Sequence, residues 1–312
     1  MAGIGIITNP HSKANKKMPA RGRLLGYIVG QFGNLEITNS VEDLGRVAAL
    51  FLEQKIEILA INGGDGTISR TLTAFIRAYG SEPLPKILVL RGGTMNMLAD
   101  NLGIRGSPEE ILVRMLECES GLRPRQTMAL ATLLVGGQYG FLFGNGFVAR
   151  YLAAFYKRKT GPIGALWLIV KIYMYWLFHM TRYKDFVRDE VFRLLFDGIE
   201  TPEPFASVAM MVSTVERIPL GLRLFPWALR KAAQFQFFAL KIPAKHLPWR
   251  LPLAFLRNSP GHCLGKWSKL ASSVVISSAN GLQPYTLDGE LFEAPAGRLA
   301  IEVGPIVQFV IV

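Results

Sequence analysis

Residues 56–67 read IEILAINGGDGT and run into 68–79, ISRTLTAFIRAY. Ile56, Ile58, Leu59 and Ile61 suit a buried strand, and the stretch after the glycines suits a helix. Gly63, Gly64 and Gly66 give the turn conformations closed to other residues and let a bulky anion approach its N–H groups. Thr67 can cap the helix, whose N-terminus favours negative charge. Strand, glycine turn and helix start together predict a phosphate cradle. Asp65 is the odd member, because a carboxylate beside phosphates is repelled unless a metal, a ribose or a cation intervenes. Its presence points to magnesium–nucleotide chemistry. Paired glycines before a helix are common, so this turn alone carries limited weight.

Two further turns add weight. Residues 86–90 (KILVL) form another short apolar run, followed by RGGTMN at 91–96 and the helix-like MLADNL. Residues 3–8 (GIGIIT) end in Asn9-Pro10-His11-Ser12-Lys13, a polar turn with one lysine. In a parallel α/β sheet, ligands bind outside the carboxyl ends of the strands, so three polar turns at three such ends converge on one crevice.

These turns, together with TLDGE at 286–290, resemble the diacylglycerol kinase-type lipid kinases, a group that includes sphingosine and ceramide kinases and is related to the NAD kinases. NPHSK resembles the opening NPxSG of that family, GGDGT matches its central motif, RGGTMNMLADNLG resembles its PxGTxND segment, and DGE its late motif. Order and spacing agree over nearly the whole chain. The resemblance implies ATP as co-substrate, Mg2+ as cofactor and a membrane lipid as phosphoryl acceptor. It implies a nucleotide site of Asn9, Pro10, His11, Ser12, Lys13, Thr38, Gly63, Gly64, Asp65, Gly66, Thr67, Gly93, Thr94 and Asn96. Thr38 enters because the family often places a nucleotide-contacting threonine there. Three departures stand out: Lys13 replaces a glycine, Met97 replaces an aspartate, and FPWALRKAAQF at 225–235 lacks the aspartate of a stretch that can hold a structural magnesium.

Composition sets outer bounds. A chain of 312 residues suits about two domains, and 50% apolar residues supply a sizeable core. Cys118 and Cys263 lie far apart and the four histidines are scattered, which argues against a disulfide framework or structural zinc. No secretory signal is read at the start, and a cytoplasmic setting is expected. The net charge of +12 is uneven: 123–269 holds 21 basic and 7 acidic residues, 21 − 7 = +14, and all five tryptophans. Basic residues mixed with Trp, Phe and Leu predict a surface that rests on anionic lipid, at 156–183 and 217–257. Nucleic acid is the competing partner, but no nucleic-acid-binding motif appears.

Residues 1–125 alternate strand and helix signals, with helices at 21–32, 41–54, 68–79 and 108–119. They predict a parallel α/β nucleotide-binding domain, which residues 304–312 can rejoin. No GxxxxGK[ST] or GxGxxG is present. From residue 127 the period changes. Runs at 127–135, 138–143, 191–196, 205–213, 234–241, 273–278, 285–287 and 298–303 read as strands. They predict a C-terminal antiparallel β-sandwich domain over 126–303 that binds lipid, with a helical excursion near 150–182. Residues 164–180 (GALWLIVKIYMYWLFHM) are strongly apolar, yet short for a span and interrupted by Lys171. A buried or membrane-resting helix is expected there, and with it a peripherally membrane-associated protein, with a homodimer compatible.

Kinase chemistry needs a phosphate cradle, magnesium, an acceptor hydroxyl held in line and a group to take its proton. Asp65 is the candidate metal carboxylate, since magnesium keeps several waters and uses one or two carboxylates. Asp288 and Glu290 are the candidate catalytic pair. If extended, residues i and i+2 face the same side and their repulsion raises one pKa. Taken in isolation, the same three residues would be a plain hairpin turn. Two other readings remain: a catalytically inactive binding protein of the same fold, supported by the three departures, and an NAD kinase, which shares GGDGT but whose soluble substrate leaves the basic second half unexplained.

Overall fold

The structure, a computed structural model, describes residues 3–30, 33–157, 162–241, 243–248, 266–279 and 281–312. Trp249, His262, Cys263, the end of the expected helix at 31–32, and residues 158–161 and 249–257 of the two basic segments lie outside the described residues.

The first half is built from βα units. Strands β1 (Ile4–Thr8), β2 (Gly33–Ile37), β3 (Ile58–Asn62) and β4 (Lys86–Val89) run parallel in the order β2-β1-β3-β4. β1 and β3 are buried along their whole length, as strands covered on both faces must be. Helices α1 (Lys13–Lys17), α2 (Arg21–Val29), α3 (Val41–Glu53), α4 (Asp65–Tyr79), α5 (Met97–Asn101) and α6 (Pro108–Glu119) connect and cover them. α3 and α6 begin in capping boxes, Ser40 with Asp43 and Ser107 with Glu110, which satisfy amides otherwise orphaned at a helix start. Register aligns Thr8 with both Ile37 and Asn62, and Ile61 with Val89. All four strand ends therefore lie at one edge of the sheet.

The second half contains β5 (Gln126–Val135), β6 (Gln138–Gly140), β7 (Leu142–Gly144), β8 (Glu190–Phe196), β9 (Ile199–Glu200), β10 (Phe205–Ser207), β11 (Met210–Ser213), β12 (Phe235–Leu240), β13 (Lys266–Ala271), β14 (Ser273–Ser277), β15 (Tyr285–Leu287), β16 (Glu290–Phe292) and β17 (Arg298–Ile311). Between β7 and β8 lie α7 (Phe147–Lys157), α8 (Pro162–Leu177) and α9 (Tyr183–Phe186). One antiparallel sheet has the order β13-β12-β11-β7-β15-β16. It packs against β5, β8, β14 and β17 through a shared core that includes Phe143, Phe196, Phe237, Val274 and Ile301.

The long strand β17 joins the halves. It pairs antiparallel with β14 and β5, then parallel with β4 at Phe309 and Ile87. Hydrogen bonding is thus continuous from β2 to β10, so one face of the sandwich is an extension of the parallel sheet. Between Val303 and Ile306 the pairing with β5 shifts register, and the Thr132 hydroxyl donates to the Pro305 carbonyl at 3.0 Å there.

Several expected elements are redrawn. The run at 205–213 divides into β10 and β11, which belong to different sheets, and 138–143 divides into β6 and β7 in the same way. The final strand continues from 303 to Ile311, and β13 was not anticipated. A chain that crosses from one sheet to the other keeps its apolar character, so the run of residues carries no mark of the switch. Among the described residues no helix is long and apolar enough to cross a membrane.

Candidate active site

The turns after β1, β3 and β4 meet at the carboxyl edge of the parallel sheet. Asn9 anchors the first: its amide donates to Thr67 Oγ1 at 2.9 Å, its oxygen accepts the His11 N–H at 2.9 Å, and its own N–H donates to the Asn62 carbonyl at 3.1 Å. Asn15 Nδ2 donates to the Asn9 and Asn62 carbonyls, tying α1 to the same point. Pro10 and His11 form the rim, Lys13 is exposed at the start of α1, and Thr38 is buried beside Thr8, whose carbonyl its N–H reaches at 3.0 Å.

The two glycine turns pack directly on each other. A Cβ on Gly93 would lie 2.5 Å from Gly64 Cα, so neither turn could carry a side chain there without separating the loops. Helix α4 starts at Asp65 with Gly64 as its N-cap, earlier than the Thr67 cap expected from sequence; Thr67 instead receives the Asn9 amide. Asn96, in the left-handed conformation, precedes α5 and accepts the Gly93 N–H at 2.9 Å, while Thr94 is exposed at the turn's tip.

Asp65 bridges the turns. Its two carboxylate oxygens accept the N–H groups of Met97 (3.1 Å) and Leu98 (3.0 Å), so a residue that opens α4 also caps α5. Burial pushes its carboxyl above the ordinary value, against these two N–H groups, which hold it down.

The third component arrives from the antiparallel sheet. Asp288 and Gly289 are the two central residues of the hairpin joining β15 to β16, both with positive φ (48° and 84°). Such a turn requires this conformation, and Asp-Gly suits it. The geometry separates the carboxylates that an extended chain would place on one side. Asp288 points inward and is buried, accepting the N–H groups of Phe141 and Leu142 and the hydroxyl of Ser69 from α4. Burial raises it to about 7, although Ser69 and the two N–H groups pull the other way. Glu290 points outward over the first turn of α4. It pairs with Arg70 at 2.5 Å, and a Cβ on Gly66 would overlap its carboxylate. Side-chain exposure is 36% for Glu290 and 45% for Arg70, so this ion pair is open to solvent.

The carboxyl edge of the sheet therefore brings together the contacts Asn9–Thr67, Gly64–Gly93, Asp65–Leu98 and Glu290–Gly66. Residues 4–127 match the diacylglycerol kinase catalytic domain. A diacylglycerol kinase from Bacillus anthracis str. Sterne is similar in structure, with a TM-score of 0.69 at 15% identity, covering 100% of this chain and 97% of its own. Another crystal structure from that strain gives 0.72 at 16% identity, covering 99% and 95%. Yeast NADH kinase complexed with NADH gives 0.51 at 10% identity, covering 100% and 84%. At these identities the likeness establishes the fold. No curated protein matches the chain.

The departures from the family pattern, within the matched region and beyond it, have local explanations. Met97, the first residue of α5, is buried and contributes its N–H to Asp65. Lys13 is the first residue of α1 and does not have a positive φ, which leaves the turn without any need for a left-handed glycine. At 225–235, outside the matched region, hydrogen bonds hold the segment: the Trp227 N–H donates to Gln236 Oε1 at 2.8 Å, and Gln236 Nε2 donates to Ser268 Oγ at 2.7 Å.

Sequence reasoning missed Ser69, Arg70 and Tyr156. The first two lie on the face of α4 that continues from Asp65, but their partners are 219 and 220 residues away, so no local pattern announces the contact. Tyr156 of α7 donates to the Gly289 carbonyl at 2.7 Å, again across a separation with no sequence signal.

Proposed function

We propose that the protein transfers the γ-phosphoryl group of ATP to a hydroxyl of a membrane lipid, diacylglycerol-like, at the surface of an anionic membrane in the cytoplasm. The observation that carries this reading is the seating of Glu290 over Gly66, at the N-terminus of α4 and beside the turns that open from the parallel strands. A partly exposed carboxylate at that point lies where an acceptor hydroxyl and a nucleotide phosphate would meet.

Each group has a task under this reading. The N-terminus of α4 and the packed glycine turns offer backbone amides to the phosphates. Ser12 Oγ and Asn62 Oδ1, both buried without a protein partner, add a hydroxyl and an acceptor at the strand ends. Glu290 takes the proton of the lipid hydroxyl as its oxygen bonds to the γ-phosphorus and the bond to the β-phosphate oxygen breaks. Arg70 holds the carboxylate in place through their ion pair. Asp288, buried and hydrogen bonded to Ser69, Phe141 and Leu142, fixes the hairpin that presents Glu290.

The residues fit a magnesium ion carried in on the nucleotide. Such an ion keeps several waters and needs one or two carboxylates. Glu290 would face it, and Asp65, both of whose oxygens already accept N–H groups, would meet it through water. When bound, the ion offsets the charge that develops on the phosphates.

Transfer of labelled phosphate from ATP to a panel of lipids in mixed micelles, with NAD as a soluble acceptor, tests the reading. Labelling of a lipid is expected. Labelling of NAD alone would replace it with an NAD kinase activity, and labelling of nothing would leave a binding protein.

A further inference from the structure

The two ends of helix α7 are tied to different parts of the chain. At its inner end Arg150 donates to the Phe186 carbonyl at 2.8 Å and pairs with Glu190, which fixes α7 to α9 and β8. At its outer end the Tyr156 hydroxyl donates to the Gly289 carbonyl, inside the turn that aims Glu290. The peptide plane between Gly289 and Glu290 is thus gripped by a residue of α7. In a two-residue hairpin with both φ values positive, a rotation of that plane swings the following side chain directly.

Helix α8 follows, and it has two apolar faces. Leu168 and Ile172 are buried against the protein. Trp167, Val170, Met174, Leu177 and Phe178 are exposed, at 55%, 50%, 39%, 47% and 65%. At 3.6 residues per turn these five positions fall within an arc of roughly 100°. The described residues around it in the chain are mostly basic where charged: 147–157 and 162–188 hold six lysines and arginines and one aspartate. Arg182, Lys184 and Arg188 are exposed just beyond α8. An apolar stripe on a helix rimmed by cations complements an anionic lipid bilayer, with the apolar side chains at the acyl boundary and the cations at the headgroups.

We propose that α7 and α8 form a surface-sensing arm: the outer stripe of α8 seats on an anionic bilayer, and Tyr156 transmits that seating to the Gly289–Glu290 turn. Turnover is thereby coupled to membrane contact. Tyr156 acts as a positioning residue, since it touches the turn and not the reacting atoms. The turnover arm of this inference rests on the lipid-kinase reading above; the docking arm does not.

Three proteins test it: the unaltered chain, Met174→Glu and Tyr156→Phe. Each is assayed for sedimentation with phosphatidylglycerol vesicles, and for turnover on diacylglycerol in those vesicles and on a monomeric short-chain diacylglycerol. The unaltered chain is expected to sediment and to turn over about tenfold faster on vesicles, the scale of one well-placed hydrogen bond. Met174→Glu should sediment about tenfold less and lose vesicle turnover while keeping the short-chain rate. Tyr156→Phe, which keeps the ring and removes only the hydroxyl, should sediment normally, keep its KM for ATP and bring the vesicle-to-short-chain ratio close to one. A normal ratio in Tyr156→Phe, or a ratio of one in the unaltered chain, overturns the coupling. Undiminished sedimentation of Met174→Glu, or a change in its oligomeric mass with vesicle binding intact, overturns the docking surface in favour of a second copy. Absence of transfer to either substrate would remove the kinase reading and leave the sedimentation result to decide the docking arm.

Discussion

Asp65 is hydrogen bonded to Leu98: the carboxylate that begins α4 accepts, at 3.0 Å, an N–H at the start of α5. With the neighbouring bond from Met97, this makes one side chain the clasp between the GGDGT and GGTMN turns. Asp65→Asn keeps a single acceptor oxygen and places an NH2 group against an amide N–H. A loss of about 1–2 kcal/mol in folding stability is expected, together with loss of phosphoryl transfer. Urea unfolding and turnover measured on the same preparation check both. Unchanged stability would mean that the clasp is dispensable, and near-normal turnover would remove Asp65 from any role with magnesium.

Glu290→Gln should reduce turnover by about 100-fold or more with little change in nucleotide affinity, the usual cost of losing a general base. Arg70→Lys should cost less, since it keeps a charge near Glu290 but loses the guanidinium geometry. Steady-state kinetics on the lipid acceptor separate the two. Equal, modest losses would indicate that the Glu290 ion pair is a structural contact of the hairpin.

Gly66→Ala tests the seating of Glu290 without changing any charged group. The added Cβ occupies the space of the carboxylate, so Glu290 must shift while α4 gains helix propensity. The fold should stay intact and turnover should fall at least tenfold, read by circular dichroism beside the transfer assay. Full activity would place the reacting carboxylate elsewhere. Gly93→Ala should behave differently, costing about 1–3 kcal/mol of stability, because its Cβ meets the backbone of Gly64.

Asp288 gives a pH dependence of stability. Its folded pKa, raised to about 7 by burial, lies above the ordinary 3.8. Between these values the folded chain keeps a proton that the unfolded chain has released. Stability contributed by this group is therefore complete below about pH 4 and declines as pH rises toward 7. Urea midpoints measured from pH 5 to 8 should fall more steeply for the unaltered protein than for Asp288→Asn, which cannot ionise. Parallel slopes would show that Asp288 is ionised in the folded protein over the whole range.

The sequence by itself determined the parallel α/β half and the edge at which its polar turns meet. Apolar runs at 3–8, 56–61 and 86–90, each closed by a polar or glycine turn, can only be buried strands that open at one edge, because parallel βα units put every strand's carboxyl end on the same side. Asn9, Gly64, Thr67, Gly93 and Asn96 were readable for that reason, and the register of β1 with β3 places them together. The antiparallel second half was readable as strands, but the sheet to which β6, β7, β10 and β11 belong was not. Apolar periodicity reports that a residue is buried and says nothing of which layer it meets. Only the tertiary structure decided which way each carboxylate faces. Asp288 turns inward and Glu290 outward because the docked hairpin brings Ser69, Phe141 and Leu142 to one carboxylate and Gly66 and Arg70 to the other. Those contacts join residues up to 220 apart, and they exist only once the two sheets have packed.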